Sequence, residues 1–173
     1  MPNLKGTSYN DGPVRQAVTT FYNDKFEILL SETPPERRLI DLTGTTETHL
    51  GVEVERGGWK GDFWSNESYS MISGLPFKTI NIPIRKEKYW LEEFYFYGKL
   101  KQNPYFQTNV FVRSNKDFTQ MIVIRPETIR DSNKAFRTRF QPNNSDEVED
   151  WLSFRREDVE TYNLINGVWE LEK

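Results

Sequence analysis

The pattern of apolar and polar positions predicts a few helices among short strands. Apolar side chains recur at helical spacing from Val14 to Phe21 and predict a first helix over about residues 11–23, preceded by an irregular leader. Runs of β-branched or alternating residues between turn-forming residues predict strands. The first four predicted strands cover residues 26–30, 38–42, 49–58 and 77–84, with a helix around residues 65–73 between the last two.

In the second half of the chain, the pattern of apolar residues predicts a hairpin and a final helix. Residues 108–113 and 120–124 are rich in Val and Ile around a polar turn, which is typical of an antiparallel pair. An apolar stripe that includes Trp151 and Tyr162 predicts an acidic helix over residues 146–162. No linker or repeat divides the chain, so we expect one α/β domain over residues 1–173, with a central mixed sheet.

Two carboxylates share one face of the third predicted strand. Because side chains alternate along a strand, Glu53 and Glu55 point the same way, roughly 7 Å apart. Asp41 ends the preceding strand, and a tight turn could bring it to the same place. Such a cluster of Asp and Glu suits Mg²⁺ or Mn²⁺ far better than Zn²⁺, and a bound ion of this kind supports phosphodiester hydrolysis.

At this point the chain resembles the PD-(D/E)xK nuclease superfamily. The likeness covers about residues 11–88, whose predicted order of helix, three strands, helix and strand is that of the restriction-endonuclease-like core. The resemblance implies that Asp41 and Glu53 hold the metal. It further implies a metal-dependent nuclease that hydrolyses DNA, with Mg²⁺ or Mn²⁺ as cofactor.

Glu55 departs from the family pattern, which usually has a Lys at this position that helps to activate water. Glu55 either binds the metal or acts as the general base, and a displaced cation then supplies the missing charge. The candidates for that cation are Lys60, Lys86 and Lys88. An acid on the first helix is also frequent in the family, and the nearest candidates here are Asp11 and Gln16.

Basic and aromatic residues add candidate contacts to nucleic acid. Arg85, Lys86 and Lys88 directly follow the fourth predicted strand, and Arg137 and Arg139 belong to a locally basic stretch. The first group could contact phosphates or be an ordinary solvated strand end. Arg137 and Arg139 could contact phosphates or face the acidic C-terminal helix. A further pair, Trp59 and Trp64, could stack on an unpaired base or fill the core.

Composition excludes several other kinds of site. The chain has no Cys and a single His, His49, so thiolate sites, disulfides and multi-histidine zinc sites are excluded, and His49 itself is expected at a strand end. No long apolar run or signal-peptide core is present. We therefore expect a protein without a membrane span, located in the cytoplasm, or in the host cytoplasm if the source is viral.

Two less specific interpretations stay open. Glu53 and Glu55 could be the solvent-facing half of an edge strand, with Asp41 near a turn. In functional terms, the alternative is a non-catalytic interaction or assembly protein with a nuclease-like core. The acidic residues between Asp146 and Glu160 would then offer a surface to a protein partner, and a homo-oligomer is also compatible with the sequence.

Overall fold

The structure, a computed structural model, describes residues 2–33, 40–44, 50–65, 79–140 and 149–172. Two α-helices are present in these ranges, α1 (Pro2–Phe26) and the short α2 (Pro126–Ile129). Shorter 3-10 segments cover Phe63–Ser65, Ile84–Trp90 and Arg156–Asp158. The strands are β1 (Ser31–Glu32), β2 (Leu42–Thr43), β3 (Gly51–Arg56), β4 (Thr79–Pro83), β5 (Glu93–Phe96), β6 (Lys99–Gln102), β7 (Asn109–Ser114), β8 (Gln120–Ile124), β9 (Phe136–Phe140), β10 (Glu149–Arg155), β11 (Glu160–Ile165) and β12 (Val168–Leu171).

The largest sheet is mixed and has the strand order β1-β2-β3-β7-β8-β11-β12. All neighbours in it are antiparallel except β3 and β7, which are parallel and pair from Gly51 with Asn109 to Arg56 with Ser114. A parallel pair needs a crossover. Residues 57–108 form it, and they carry β4 and the β5–β6 hairpin out of the main sheet.

Helix α1 covers one face of the main sheet. Its buried residues Val14, Val18 and Phe21 belong to the same core cluster as Val52 and Val54 of β3. The two valines alternate with Glu53 and Glu55, so the acidic residues must point to the opposite face. The predicted division of β3 into an apolar and an acidic side is therefore confirmed.

A second sheet, with the order β4-β10-β9, packs against that opposite face. Phe111 of β7 and Ile122 of β8 form a core cluster with Ile82 of β4 and Phe154 of β10. Since β7 and β8 are buried on both sides, they supply alternate residues to the two clusters. The protein is thus a mixed α/β structure in which the main sheet separates two apolar cores.

Several predicted elements agree with the structure. The third predicted strand is β3, and the predicted hairpin is the antiparallel pair β7 and β8. The predicted first helix is part of α1, which begins already at Pro2 and includes the segment expected to be irregular. The aromatic-rich stretch of residues 89–97 contains the end of a 3-10 segment followed by β5.

The predicted acidic C-terminal helix is wrong. Residues 149–165 form β10 and β11 instead, joined by the 3-10 segment Arg156–Asp158. Leu152 and Phe154 lie two positions apart and both face the second core, which is the period of a strand. The apparent helical stripe combined residues from two strands of different sheets.

The fourth predicted strand exists but belongs to the second sheet. β4 pairs with β10, whereas the strand beside β3 is β7. The first predicted strand is wrong, because Phe26 still belongs to α1 and residues 27–30 form no strand before β1. Of the second predicted strand, Leu42 belongs to β2, residues 40–41 precede it, and residues 38–39 lie outside the described residues. The helix expected over residues 65–73 falls almost wholly outside the described residues.

Candidate active site

Asp41 and Glu53 lie side by side where β2 meets β3. Leu42 pairs with Val52, which places the preceding Asp41 next to Glu53. The backbone amide of Val54 donates a hydrogen bond to Asp41 Oδ2 at 2.9 Å and fixes that carboxylate. Glu53 is only 5% exposed and belongs to an interior strand, so its interpretation as a solvent-facing residue of an edge strand is wrong.

The two carboxyl groups interact with each other. Burial raises the pKa of Glu53 well above its usual range, and the hydrogen bond to Asp41 and the charge of Asp41 raise it further. The positive charge of Lys86 has the opposite, smaller effect on this pKa. Glu53 therefore holds a proton more strongly than an exposed glutamate does.

Glu55, on the same face of β3, is paired with two cations. Arg113, its neighbour on β7, donates from Nη2 to Glu55 Oε1 at 3.0 Å, and Lys86 Nζ lies 3.5 Å from Oε2. Burial alone would raise the pKa of Glu55, but the charges and hydrogen bonds of the two cations lower it below its usual value. Glu55 is thus ionised and neutralised within the protein.

An aromatic ring supports both cations. The Arg113 guanidinium lies 5.3 Å from the centroid of the Phe111 ring, and Lys86 Nζ lies 5.8 Å from it. Cations at such distances are attracted to the ring. Phe111 is fully buried, so it provides a fixed platform that holds the two cations beside Glu55.

A cleft of about 710 Å³ opens over these residues. Its acidic side is formed by Asp41, Glu53 and Glu55. The other charged residues that line it are basic, namely Arg56, Arg85, Lys86 and Lys116. The cleft thus combines a partly neutralised acidic group with a cationic wall.

Tyr89 adds a neutral hydroxyl to this cleft. Burial raises the pKa of Tyr89 to about 12, and the nearby carboxylates of Glu53 and Asp41 contribute to the shift. The backbone carbonyl of Tyr89 accepts hydrogen bonds from Asn103 Nδ2 at 2.9 Å and Asn109 Nδ2 at 3.1 Å. Its position at the start of the β5–β6 hairpin is therefore well anchored.

Asp41 and Glu53 suit a hard divalent cation, but Glu55 does not join them as a third ligand. Within the described residues, no three side chains of His, Cys, Asp or Glu are grouped so that they could hold a metal ion. Mg²⁺, however, is commonly held by one or two carboxylates together with water and substrate phosphate. Asp41 and Glu53 offer that donor set, whereas Glu55 is engaged by Arg113 and Lys86.

The basic residues predicted to contact DNA lie in three different places. Arg85 and Lys86 line the cleft. Lys88 lies 5.5 Å from the Phe96 ring centroid, beside the hairpin. Arg137 Nη2 contacts Glu87 at 2.5 Å and Arg139 Nε contacts Asp150 at 3.2 Å, so both are engaged in exposed ion pairs.

Of the remaining predicted residues, those that the structure describes do not line the cleft. Trp59 is 1% exposed, so its core-packing interpretation is confirmed. The indole of Trp64 donates to Thr161 Oγ1 at 3.0 Å. Lys60 is exposed, and Gln16 is exposed on α1, on the other face of the main sheet. The side chain of Asp11 and the whole of His49 are outside the described residues.

Sequence reasoning did not identify Arg113, Tyr89, Arg56 or Lys116. Arg113 carried a signal, since a charged residue in an otherwise apolar strand needs a partner when buried. The partner could not be identified without knowing that β7 lies parallel to β3. Arg56 reaches the cleft from the end of β3, Tyr89 from the crossover and Lys116 from the β7–β8 turn.

Comparisons with known proteins add no relative. No protein-family model, no curated protein and no solved structure matches the chain. Among the described helices, none has the length and apolar character required to cross a membrane. The function must therefore be argued from the cleft itself.

Proposed function

We propose that the protein is a divalent-metal-dependent nuclease that hydrolyses phosphodiester bonds of DNA. The observation that carries this proposal is the juxtaposition of the Asp41–Glu53 pair with a cationic wall in one cleft. Phosphodiester hydrolysis needs groups that bind a polyanion and groups that position a cation against it. A cleft with both features suits a phosphate backbone better than it suits an uncharged substrate.

Asp41 and Glu53 are the residues that would hold Mg²⁺ or Mn²⁺. The chemistry supplied by such an ion when bound is neutralisation of charge on the phosphate and a lower pKa of water. A cation bound there would favour the ionised form of Glu53 and so oppose the effect of its burial. The amide of Val54 would keep Asp41 oriented throughout.

In this proposal, Lys86 supplies the positive charge that the family usually has at the position of Glu55. Its ammonium group lies on the acidic face of the cleft and is positioned by Glu55 and the Phe111 ring. A lowered pKa makes Glu55 a weak base, so orienting Lys86 and Arg113 is the role that its contacts favour. Arg85, Arg56 and Lys116 would bind flanking phosphates.

The sheet order lends further support to the family resemblance. Helix α1 is followed by β1, β2 and β3 as an antiparallel series, and a crossover then leads to the parallel strand β7. The order expected of the restriction-endonuclease-like core is helix, three strands, helix and strand, and its second helix lies outside the described residues. In this proposal the fourth strand is β7, in place of the predicted strand over residues 77–84.

Cleavage assays with a matched pair of variants test the proposal. The wild-type protein and Glu53→Gln are incubated with duplex, branched and single-stranded DNA in Mg²⁺ or Mn²⁺, with a chelator as control. We expect cleavage by the wild type alone and its loss with chelator. If the pure wild-type protein cuts none of these substrates, or if Glu53→Gln cuts as fast as the wild type, the nuclease assignment is wrong.

The β5–β6 hairpin favours a second candidate function, that of a non-catalytic interaction protein. Tyr95 and Leu100 are cross-strand neighbours that are 74% and 52% exposed, and Tyr97 at the turn is 91% exposed. Tyr97 and Gly98 both have positive φ, which gives the tight two-residue turn of a well-defined hairpin. Exposed aromatic residues on a projecting, ordered element suit contact with a protein.

Variants in the hairpin separate the two candidates. For an assembly protein, Tyr95→Ser with Leu100→Ser would abolish co-assembly or self-association in sedimentation experiments, while Glu53→Gln would leave it intact. For a nuclease, the cleavage rate would depend on Glu53 regardless of the state of association. Sedimentation and cleavage rates can both be measured on the same purified variants.

A further inference from the structure

A smaller cavity of about 200 Å³ adjoins the cleft. Residues 55–58, from the end of β3 and the following loop, line both spaces. The volume is below the roughly 300–1,000 Å³ of pockets for drug-sized ligands, so it fits a single small ring system. A group bound there would lie directly beside the acidic pair and its cations.

Aromatic rings form the walls of this cavity. Trp59, Phe63 and Trp151 all line it, and the rings of Trp59 and Phe63 meet edge to face with centroids 5.0 Å apart. Trp59 Nε1 donates to Gln120 Oε1 at 3.1 Å, which fixes the orientation of its ring. Gly57 allows the close approach, since a Cβ there would lie 1.8 Å from the Trp59 ring. The walls are therefore preformed.

Two buried polar side chains complete the lining. Asn81 of β4 is 4% exposed, and its Oδ1 accepts a hydrogen bond from Thr79 Oγ1 at 3.1 Å, which leaves the amide group in a set orientation. Arg113 also lines the cavity, and its Nη2 donates a hydrogen bond to Glu55 Oε1 at 3.0 Å, which holds the guanidinium group in place.

We propose that this cavity binds one nucleobase that is turned out of a DNA strand while its phosphate lies in the cleft. A base is planar, has two faces for aromatic stacking and carries polar atoms at its edge. Trp151, which is only partly buried, can stack on one face of the base, while the buried rings of Trp59 and Phe63 close the cavity behind it. Asn81 and Arg113 can bind polar atoms at the edge of the base. An aliphatic ligand would offer no polar atom to either side chain.

The proposal deepens the proposed function, because it places the DNA of that function in a defined orientation. Enzymes that read a single base within a strand extrude it into a fitted pocket and gain selectivity from its edge. Residues 55–58 line both the cleft and the cavity, and they lie beside the place that the proposed function gives to the phosphate. The cavity therefore assigns base recognition to Asn81 and Arg113, separately from the acidic pair.

A binding experiment without metal tests the cavity independently of cleavage. The probes are two short single strands in the presence of chelator, one with a single base at its centre and otherwise abasic, and one wholly abasic. Their affinities for the full chain are compared by fluorescence anisotropy. We expect the base to strengthen binding by about tenfold, as one stacked base does in other single-strand sites.

Variants then locate the effect. Trp151→Leu removes one ring, and we expect it to abolish the advantage of the base-bearing strand while leaving affinity for the abasic strand unchanged. Trp151→Phe should restore most of the advantage. Trp169→Phe, in the core on the other face of the main sheet, is the matched control and should change neither affinity. Asn81→Leu provides a second test if Trp151→Leu does not fold.

Each outcome separates this proposal from the nuclease assignment. Equal affinity of the wild type for the two strands would overturn base binding, even for a protein that cleaves DNA. An equal loss for both strands in Trp151→Leu would likewise overturn it. A base-dependent affinity that disappears in Trp151→Leu supports the cavity even if the wild-type protein cleaves nothing.

Discussion

Glu55 and Arg113 are register neighbours on the parallel strands β3 and β7 and form an ion pair with 3.0 Å between Oε1 and Nη2. This contact links the two strands that the 57–108 crossover brings together. It also fixes the guanidinium group between the cleft and the smaller cavity. The charge of Glu55 is thereby used to orient cations, so the residue does not stand as an isolated acid beside Glu53.

Glu53→Gln should raise the stability of the metal-free protein at neutral pH. The pKa of Glu53 is raised in the folded state, so the folded protein binds more protons than the unfolded chain, and stability falls as pH rises from the unfolded pKa towards the raised one. A Gln side chain does not titrate, so the stability of Glu53→Gln lacks this fall with pH. Its side-chain amide can still donate a hydrogen bond to Asp41. Urea unfolding across this pH range in chelator should show the difference.

The same variant should lose stabilisation by metal. Mn²⁺ at about 100 times its Kd should stabilise the wild type by about 2.7 kcal/mol but have little effect on Glu53→Gln. Glu127→Gln, at an exposed position, is the matched control and should behave as the wild type does. Equal stabilisation of Glu53→Gln by Mn²⁺ would show that the acidic pair does not bind the ion.

Lys86→Met should reduce DNA cleavage by roughly 10²-fold with a smaller change in DNA affinity, because the proposal gives Lys86 a role at the reacting phosphate. Lys88→Met is the matched control, since this nearby lysine lies beside the Tyr89 and Phe96 rings. Single-turnover rates and binding constants distinguish the two effects. Equal rates for both variants would remove Lys86 from the mechanism.

Glu55→Gln and Glu55→Lys test the departure from the family pattern. Glu55→Gln should slow cleavage by roughly 10²-fold, since Lys86 and Arg113 lose their common anchor. An active Glu55→Lys variant would show that a lysine at this position can supply the family chemistry. An inactive Glu55→Lys variant that still folds would show that the anion itself is required.

The basic residues should differ in their contribution to DNA binding. Arg85→Gln and Lys116→Gln should each make the dependence of log Kd on log salt shallower by about 0.9, the value for one neutralised phosphate of B-DNA. Arg137→Gln and Arg139→Gln should leave the slope unchanged, because Glu87 and Asp150 already pair with these residues. A shallower slope in the latter two variants would place DNA on the second sheet.

Glu160→Gln should destabilise the protein at neutral pH by about 1 kcal/mol, a value reduced for the partial exposure of the pair. Arg125 contacts Glu160 through Nε at 2.7 Å and Nη2 at 2.9 Å, and Tyr162 donates to it at 2.5 Å. Partial burial alone would raise the pKa of Glu160, but these hydrogen bonds and the charge of Arg125 lower it below its usual value.

The sign of the pH effect follows from that lowered pKa. The contribution of Glu160 is present above the pKa of the unfolded chain, about 4.3, and is lost as pH falls through the lower folded value. Urea unfolding of wild type and Glu160→Gln should therefore converge in acid. Exposed Glu157→Gln serves as control, and a constant difference at all pH values would contradict the assignment.

Gly57→Ala should lower stability. A Cβ at Gly57 would overlap the Trp59 ring, so the variant should lose about 1–3 kcal/mol. Gly12→Ala, where a Cβ meets nothing within 4 Å apart from its chain neighbours, should gain nothing either, because Pro13 follows in helix α1 and the proline ring disfavours helical backbone at a preceding residue with a Cβ. Thermal unfolding measures both, and a neutral Gly57→Ala would mean that Trp59 can move.

The sequence by itself determined the local features that depend on alternation and composition. The two-sided character of β3, the β7–β8 hairpin and the helical spacing from Val14 to Phe21 follow from side-chain periodicity, and all three are present in the structure. The grouping of Asp41 with Glu53 also followed from a short connection between neighbouring strands. These features involve residues close in the chain.

Only the tertiary structure decided which distant strands pair. Residues 149–165 have apolar positions compatible with a helix, but Leu152 and Phe154 bury more surface as parts of a strand in the second sheet. The pairing of β3 with β7 across the 57–108 crossover likewise depends on packing that no local pattern records. It is this pairing that brings Arg113 to Glu55 and makes the cavity continuous with the cleft.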